Sequence, residues 1–397
     1  MDVRLEDLFA NQTLIRPSDK RPNLVHLVRA LAFACGVCEV EVSSPTRQLI
    51  ELIGESDHLV FVLLDGLGMN IIRRLPAESF IARHFKLELL ATCPSTTACA
   101  LTTVATADYP GRHGVTGWFT HLPEFGLTAT ILPFHERFTN QPLTERGIRP
   151  QDVLPLPAFQ SSMNRDSLTL LPYLITHTTY ATYARGGTAA HGYASYHHAV
   201  DLTIDHVSKA SGPTYTHMYL PEVDTICHKA GAECQDVMSL VMKLDAEMAR
   251  LHEGLAGRAR LVLSADHGLI DVPADQQTLL MHDDPLLGLL KVPPSGDARM
   301  PIFHIKPEGR AAFVDVFQQR FGDRMVLVDV ETAEQMHLFC PGPMAPHAKP
   351  RFGDFIAFPY RPASLAYHPP NRPLGHLYRA LHAGLSPQEM GIPLCIA

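Results

Sequence analysis

HLVFVLLDGLG, residues 58–68, is an unbroken apolar run that stops on an acid and two glycines. Leu59 to Leu64 show no polar alternation, so a strand here would be buried on both faces, as in the interior of a parallel sheet. The DGLG that ends the run supplies turn chemistry and leads into a helix at about 68–75. A strand, a tight turn and a helix in that order open an α/β fold.

The alternation continues downstream. Strands are expected at 86–92, 177–183, 213–220 and 260–265, with helices at 97–106, 198–211 and 233–254. The last of these carries Val237, Leu240, Val241, Leu244, Met248 and Leu251 at spacings of three and four, which gives it one apolar face. Helical spacing at 23–36 and 46–54 makes residues 1–54 an N-terminal helical lead-in. Residues 55–271 form the main α/β core, interrupted at 119–175 by a Pro-rich excursion of the kind that shapes specificity. From 272 to 350, Pro-bounded strands and a helix at 309–321 mark an inserted, smaller α+β subdomain. RFGDFIAFPY at 351–360 reads as a strand returning from it, so 351–397 closes the core. At 397 residues the chain suits one elaborated domain.

A formal charge of -8 leaves no basic footprint, which excludes a dedicated nucleic-acid binder but not a nucleotide-sized substrate. MDVRLEDLFANQ lacks the basic and apolar regions of a secretory signal, and no apolar run reaches membrane-spanning length. A cytoplasmic protein is expected. Its eight scattered cysteines are then reduced, and CGVC, with Cys35 and Cys38 after the helical run LVHLVRALAFA, reads as a helix end rather than a redox pair.

Chemistry collects at the ends of the apolar runs. Asp65 follows the first, where an open α/β sheet places its ligand crevice. Asp224 and His228 in MYLPEVDTICH are four apart, so both side chains lie on one face of a helical turn. Asp266 and His267 end ARLVLSADHG, and Gly268 lets the backbone turn so that both reach one ion. CPSTTACALTTVAT, residues 93–106, supplies hydroxyls at a helix start, where the dipole favours negative charge. Hard oxygen and borderline nitrogen donors without paired thiolates suit catalytic zinc or a similar divalent ion. Two such ions at a sheet edge point to hydrolysis at phosphorus.

The order Asp, PSTT, Asp-x-x-x-His, SADHG and a late His in HAGLSPQEM resembles the alkaline phosphatase superfamily, specifically its type I phosphodiesterase and nucleotide pyrophosphatase branch, from about residue 55 to the end. The resemblance implies a three-layer α/β/α sandwich with a mostly parallel central sheet, two zinc ions and a Thr or Ser nucleophile. It implies that Asp65, Thr97, Asp266 and His267 surround one ion, and that Asp224, His228 and His382 hold the other. Thr97 is preferred to Ser95 and Thr96 by counting back from the family's Thr-Gly, here Thr106 and Ala107, and because it starts the expected helix. The match of HAGLSPQEM favours His382 over His368 and His376. His113 is read as structural.

Two departures bear on specificity. Where the nucleotide pyrophosphatases have a phosphate-binding Asn, this chain has Trp118, whose indole N–H is a donor and whose ring is an apolar wall. The sulfatase pattern Cys-x-Pro-x-Arg is not met by Cys93, Pro94, Ser95 and Thr96. No Arg lies within the nucleophile segment, Arg112 being the first to follow, and Arg299 and Arg351 read as structural ion pairs. Phosphodiester or nucleotide pyrophosphate substrates are therefore favoured over monoesters. A phosphoryl transferase or mutase on the same scaffold is the alternative enzyme class, and a metal-binding module without catalysis the non-enzyme one.

Overall fold

In the computed structural model, which describes residues 4–370 and 377–397, the run at 58–64 is the strand His58–Leu64 at the centre of a seven-stranded sheet. The order across that sheet is Phe85–Leu90, Gly391–Ile396, Ala259–Ser264, His58–Leu64, Thr214–Leu220, Asp166–Pro172 and Ala189–Tyr193. Gly391–Ile396 alone runs antiparallel to its neighbours. Helix Leu24–Ala34 packs on Ser44–Ile53 and Thr97–Thr106, while Gln235–Leu255 packs on Tyr196–Lys209, Glu222–Ala230 and Phe80–His84. These two helix groups are the outer layers of an α/β/α sandwich.

Register aligns the sheet's functional edge. Leu64 pairs with Leu220, and Leu63 with Ser264, so three parallel strands end together. Asp65, Pro221 and Ala265 therefore begin three loops at one edge.

The expected strand at 177–183 is instead the helix Thr179–Ala184, and the strand that pairs with Thr214–Leu220 is Asp166–Pro172. Thr178 caps the helix by accepting a bond from the Ala181 amide, which outweighs the β-propensity of TTYATY. The 119–175 segment is thus more than an excursion. Besides that strand it holds Phe119–Leu122, Leu127–Thr130 and His135–Glu136, which join a second, antiparallel sheet. That sheet runs Met325–Asp329, Phe355–Pro359, Met300–Phe303, Ser295–Asp297 and then the three strands from 119–136. Its members come from both sides of the 272–350 boundary, and the 351–360 strand stays in it. Among the described residues after 350, Gly391–Ile396 is the strand that re-enters the main sheet. Helix Arg310–Phe321 covers the smaller sheet through Phe313 and Phe317, packed on Phe303 and Phe355.

A buried ion pair ties this second sheet to the C-terminal return. Arg299 Nε and Nη2 donate to the two carboxylate oxygens of Glu389, both at 2.7 Å, and Nη1 donates to the Ala363 carbonyl at 2.8 Å. Arg351 is equally buried, held by Glu124 and by the Gly114 and Val153 carbonyls. Both arginines are structural, as their context suggested. Arg299→Met leaves the Glu389 charge buried without its partner and is expected to lower stability by about 3–5 kcal/mol, read from urea unfolding.

Candidate active site

The loop after His58–Leu64 needs glycine at its first turn. Gly66 has φ +75°, and a Cβ there would lie 2.9 Å from the Asp224 Cα. Gly268 serves differently from a turn residue: a Cβ would fall 2.0 Å from the Gln388 carbonyl and 3.0 Å from the Gly68 Cα. The loops bearing Asp65 and Asp266 thus cross at backbone contact. Asp266 Oδ1 accepts the Gly66 amide at 3.0 Å and the His267 amide at 2.9 Å, locking the two loops together.

Around that crossing the structure brings together all seven residues named from the sequence. His267 Nε2 lies 3.1 Å from Thr97 Oγ1, 3.4 Å from Asp266 Oδ2 and 3.5 Å from Asp65 Oδ1. Asp224 and His228 share the helix Glu222–Ala230, with His228 Nε2 at 3.3 Å from Asp224 Oδ2. His228 Nδ1 is 2.7 Å from the Ala380 carbonyl, a bond that orients the ring so that Nε2 faces the site. His382 Nε2 stands 3.8 Å from Asp224 Oδ1, and its ring stacks on His267 at 3.9 Å. Among the described residues, two triplets have ligand atoms within 4.8 Å of one another: Asp65, Asp266 and His267, and Asp224, His267 and His382. His267 stands between the two groups, whereas the sequence pattern assigned it to one.

These residues fit divalent cations on chemical grounds. Asp65 Oδ1, Asp224 Oδ1, Asp266 Oδ2 and His382 Nδ1 are buried without a protein hydrogen-bond partner, a costly state for buried polar atoms. Burial, then the negative charges of Asp266 and Asp224, push the Asp65 carboxyl well above the usual carboxylate range. Burial opposes ionisation of Asp224 too, but its His228 hydrogen bond and the His228 and His382 charges bring it down to about 2. Burial and the adjacent His267 hold His382 well below the ordinary imidazole value, so it is neutral, the form that ligates metal. Cations between the three acids would satisfy the orphaned atoms and cancel the repulsion.

Thr97 is the first residue of helix Thr97–Thr106, with Thr96 as its N-cap. Ser95 is turned away, donating its hydroxyl to the Gly384 carbonyl at 2.7 Å. Of the three hydroxyls in STT, it is Thr97's that meets His267. His113 is fully buried with Nε2 3.3 Å from Thr103 Oγ1, and burial lowers its pKa to about 3, in keeping with a structural role. His368 lies in strand Ser364–His368, outside both triplets, and His376 falls outside the described residues.

Trp118 borders two cavities that meet at Thr97. Its backbone amide, not its indole, makes the notable bond, donating to Asp297 at 2.9 Å. Asp297 was not visible in the sequence: it sits in SGDAR, far from every motif, and reaches the site through the second sheet. It is half-buried, and that desolvation raises its pKa. Tyr219 was missed as well. Its hydroxyl donates to Asp65 Oδ2, and its sole sequence signal is a tyrosine one residue before a strand end.

The sequence profile of the type I phosphodiesterase / nucleotide pyrophosphatase family matches residues 59–370. A sequence search of curated proteins finds no match. Among solved structures, the chain is similar to murine ectonucleotide pyrophosphatase / phosphodiesterase 5, at TM-score 0.61 and 14% identity, over 85% of this chain and 87% of that one. An inactive form of that murine protein was solved in complex with AMP. Phosphonoacetate hydrolase from Sinorhizobium meliloti is similar at TM-score 0.59 and 15% identity, over 85% of this chain and 89% of that one. At these identities the structural likeness speaks for the fold.

Because the two loops cross at Gly268, Gly268→Ala is expected to separate Asp65 from Asp266 while leaving the sheet intact. Zinc titration by calorimetry should show affinity lower by at least about tenfold, the scale on which ligand-supporting residues act, with far-UV circular dichroism unchanged.

Proposed function

From this chain's membership of the type I phosphodiesterase / nucleotide pyrophosphatase family, a family of phosphoric ester hydrolases, we propose that it hydrolyses phosphodiester or nucleotide pyrophosphate bonds through a phosphothreonine on Thr97. The observation that carries this reading is the Thr97 hydroxyl at 3.1 Å from His267, the imidazole that two acid and imidazole triplets share. Asp65, Thr97, Asp266 and His267 would hold one divalent ion, and Asp224, His228 and His382 the other, with zinc favoured by the mixed carboxylate and imidazole donors. When bound, such a pair lowers the pKa of the attacking hydroxyl and neutralises charge on the attacking and departing oxygens.

The chain's own groups do the rest. Thr97 Oγ attacks phosphorus in line, the Oγ–P bond forms and the bond to the leaving oxygen breaks. The N-terminus of helix Thr97–Thr106 stabilises negative charge at that position. Water then cleaves the phosphothreonine and restores the hydroxyl. Tyr219 holds Asp65 and the Ala380 carbonyl holds His228, so the acid and imidazole groups are oriented before substrate arrives. Trp118 acts as a wall at the substrate entrance. The substrate is a small phosphate ester. All eight cysteines are unpaired, which supports a cytoplasmic setting. Among the described residues no helix is long and apolar enough to cross a membrane.

Thr97→Ala should keep its bound metal, measured by elemental analysis, and lose turnover by at least about a thousandfold; full activity in that variant would refute the nucleophile. Asp224→Asn and His228→Ala should each lower metal content as well as rate. With the wild-type protein, bis-p-nitrophenyl phosphate should be cleaved faster than p-nitrophenyl phosphate. The reverse order would favour the monoesterase reading.

A further inference from the structure

The two edges of the main sheet are built differently. At one edge, Phe85–Leu90 carries Lys86 and Glu88, with Glu88 held at 2.7 Å by Arg73, and the N-terminal segment bridges to it between Asn23 and Leu90. Charged side chains and a covering segment are the usual means of keeping a strand edge from pairing with another chain. The opposite edge, Ala189–Tyr193, has neither. Its sequence AAHGY holds no lysine, acid or proline, and its parallel register with Asp166–Pro172 runs from Leu168 and Ala189 to Pro172 and Tyr193 without a bulge. Strands of this length are ordinary. Among the described residues no second strand pairs with it. Outside the ladder its backbone has a single contact, the Gly192 carbonyl at 2.9 Å from Nδ1 of its neighbour His191.

Beside this edge the chain is apolar and open to solvent. The turn Tyr173–Ile175 packs on Gly192, where a Cβ would stand 3.0 Å from the Tyr173 ring. Tyr173 is 73% exposed and Leu174 89%, with Ile175 also exposed. At the other end of the strand, a Cβ on Gly187 would meet nothing within 4 Å, and Ala189 is exposed. From Ser167 to Val200, in a chain of formal charge -8, Arg185 is the only lysine, arginine or acid. Its Nε donates to the Thr188 carbonyl at 2.8 Å and its Nη1 to the Thr176 carbonyl at 3.2 Å.

We propose that Ala189–Tyr193 pairs antiparallel with the same strand of a second copy of this chain, joining two main sheets into one across a twofold axis. A strip that offers both backbone donors and acceptors and no free charge is its own complement. A charged partner finds no counter-charge there, whereas a second copy brings the same uncharged strip, with the net negative charge of each copy carried elsewhere. Antiparallel pairing sets the start of one strand, Gly187 to Ala189, beside the end of the other, where Tyr173–Ile175 protrudes. Each turn thus lies against small residues of the partner, and burial of its apolar side chains adds to the backbone bonds. Leu174 and Ile175 also border the cavity beside Thr97, so the second copy closes over part of that wall. The pairing itself holds whether or not the hydrolase reading does.

The test is sedimentation velocity of the full chain across the micromolar range. A species of twice 43.8 kDa is expected, dissociating on dilution. Ala189→Lys puts on the bare edge the kind of charge that guards the other, and Leu174→Asp removes the apolar tip. Each should raise the dimer Kd by at least about tenfold, with far-UV circular dichroism unchanged. Leu52→Asp, at an exposed leucine of helix Ser44–Ile53, should leave the Kd as it was. Hydrogen exchange read by mass spectrometry should slow at residues 189–193 as the dimer forms. A monomer at every concentration overturns the inference, as does a dimer that both variants leave intact or one in which those amides exchange at the monomer rate. The KM for bis-p-nitrophenyl phosphate should fall over the same concentration range; a constant KM overturns the closure over the cavity wall.

Discussion

Three carboxylates, of Asp65, Asp224 and Asp266, are held together out of water at one edge of a parallel sheet, and the surrounding structure answers to their mutual repulsion. Like charges at such separations in a site of low polarity disfavour ionisation strongly. The chain answers in two ways. Hydrogen bonds from Tyr219, from the Gly66 and His267 amides and from His228 hold one side of each carboxylate. The other side is left without a partner, facing three imidazoles and one hydroxyl. A set of acids arranged in this way is stable when positive charge lies between them, which is the physical basis for reading the cluster as a two-cation site.

Bringing the acids together requires two backbone conditions. Register aligns the carboxyl ends of three parallel strands, and glycine at 66 and 268 lets the loops touch where any side chain would intervene. The last histidine arrives differently. His382 comes from the segment between the short strand Ala380–Leu381 and the antiparallel strand Gly391–Ile396, and it is positioned by the same region that the Arg299–Glu389 pair anchors. Fold stability and site assembly thus share one buried contact.

Substrate choice is separated from this machinery in space. The second sheet contributes Asp297 and, through Phe119–Leu122, the approach to Trp118, while the main sheet contributes the apolar cavity down to His217. One reactive hydroxyl therefore sits where two differently lined cavities meet. On the proposed reading the acid and imidazole groups would set the chemistry, and the cavities would set which ester reaches it.

Much of the architecture is legible in residue order alone. HLVFVLLDG, VLSADHG and TACALTTVAT carry their roles locally, because burial on both faces, a turn at a strand end and a helix start each leave a pattern within about ten residues. The helices Thr97–Thr106 and Gln235–Leu255 and the acid and imidazole residues that converge were readable for that reason. Other features depend on partners distant along the chain. The antiparallel sheet joins strands from 119–136, 295–303 and 325–359, so no single segment announces it, and TTYATYA has strand-like composition but is capped as a helix by Thr178. Asp297 lies outside every local pattern. Proximity in three dimensions, through sheet pairing, is what brings Asp297 beside Trp118.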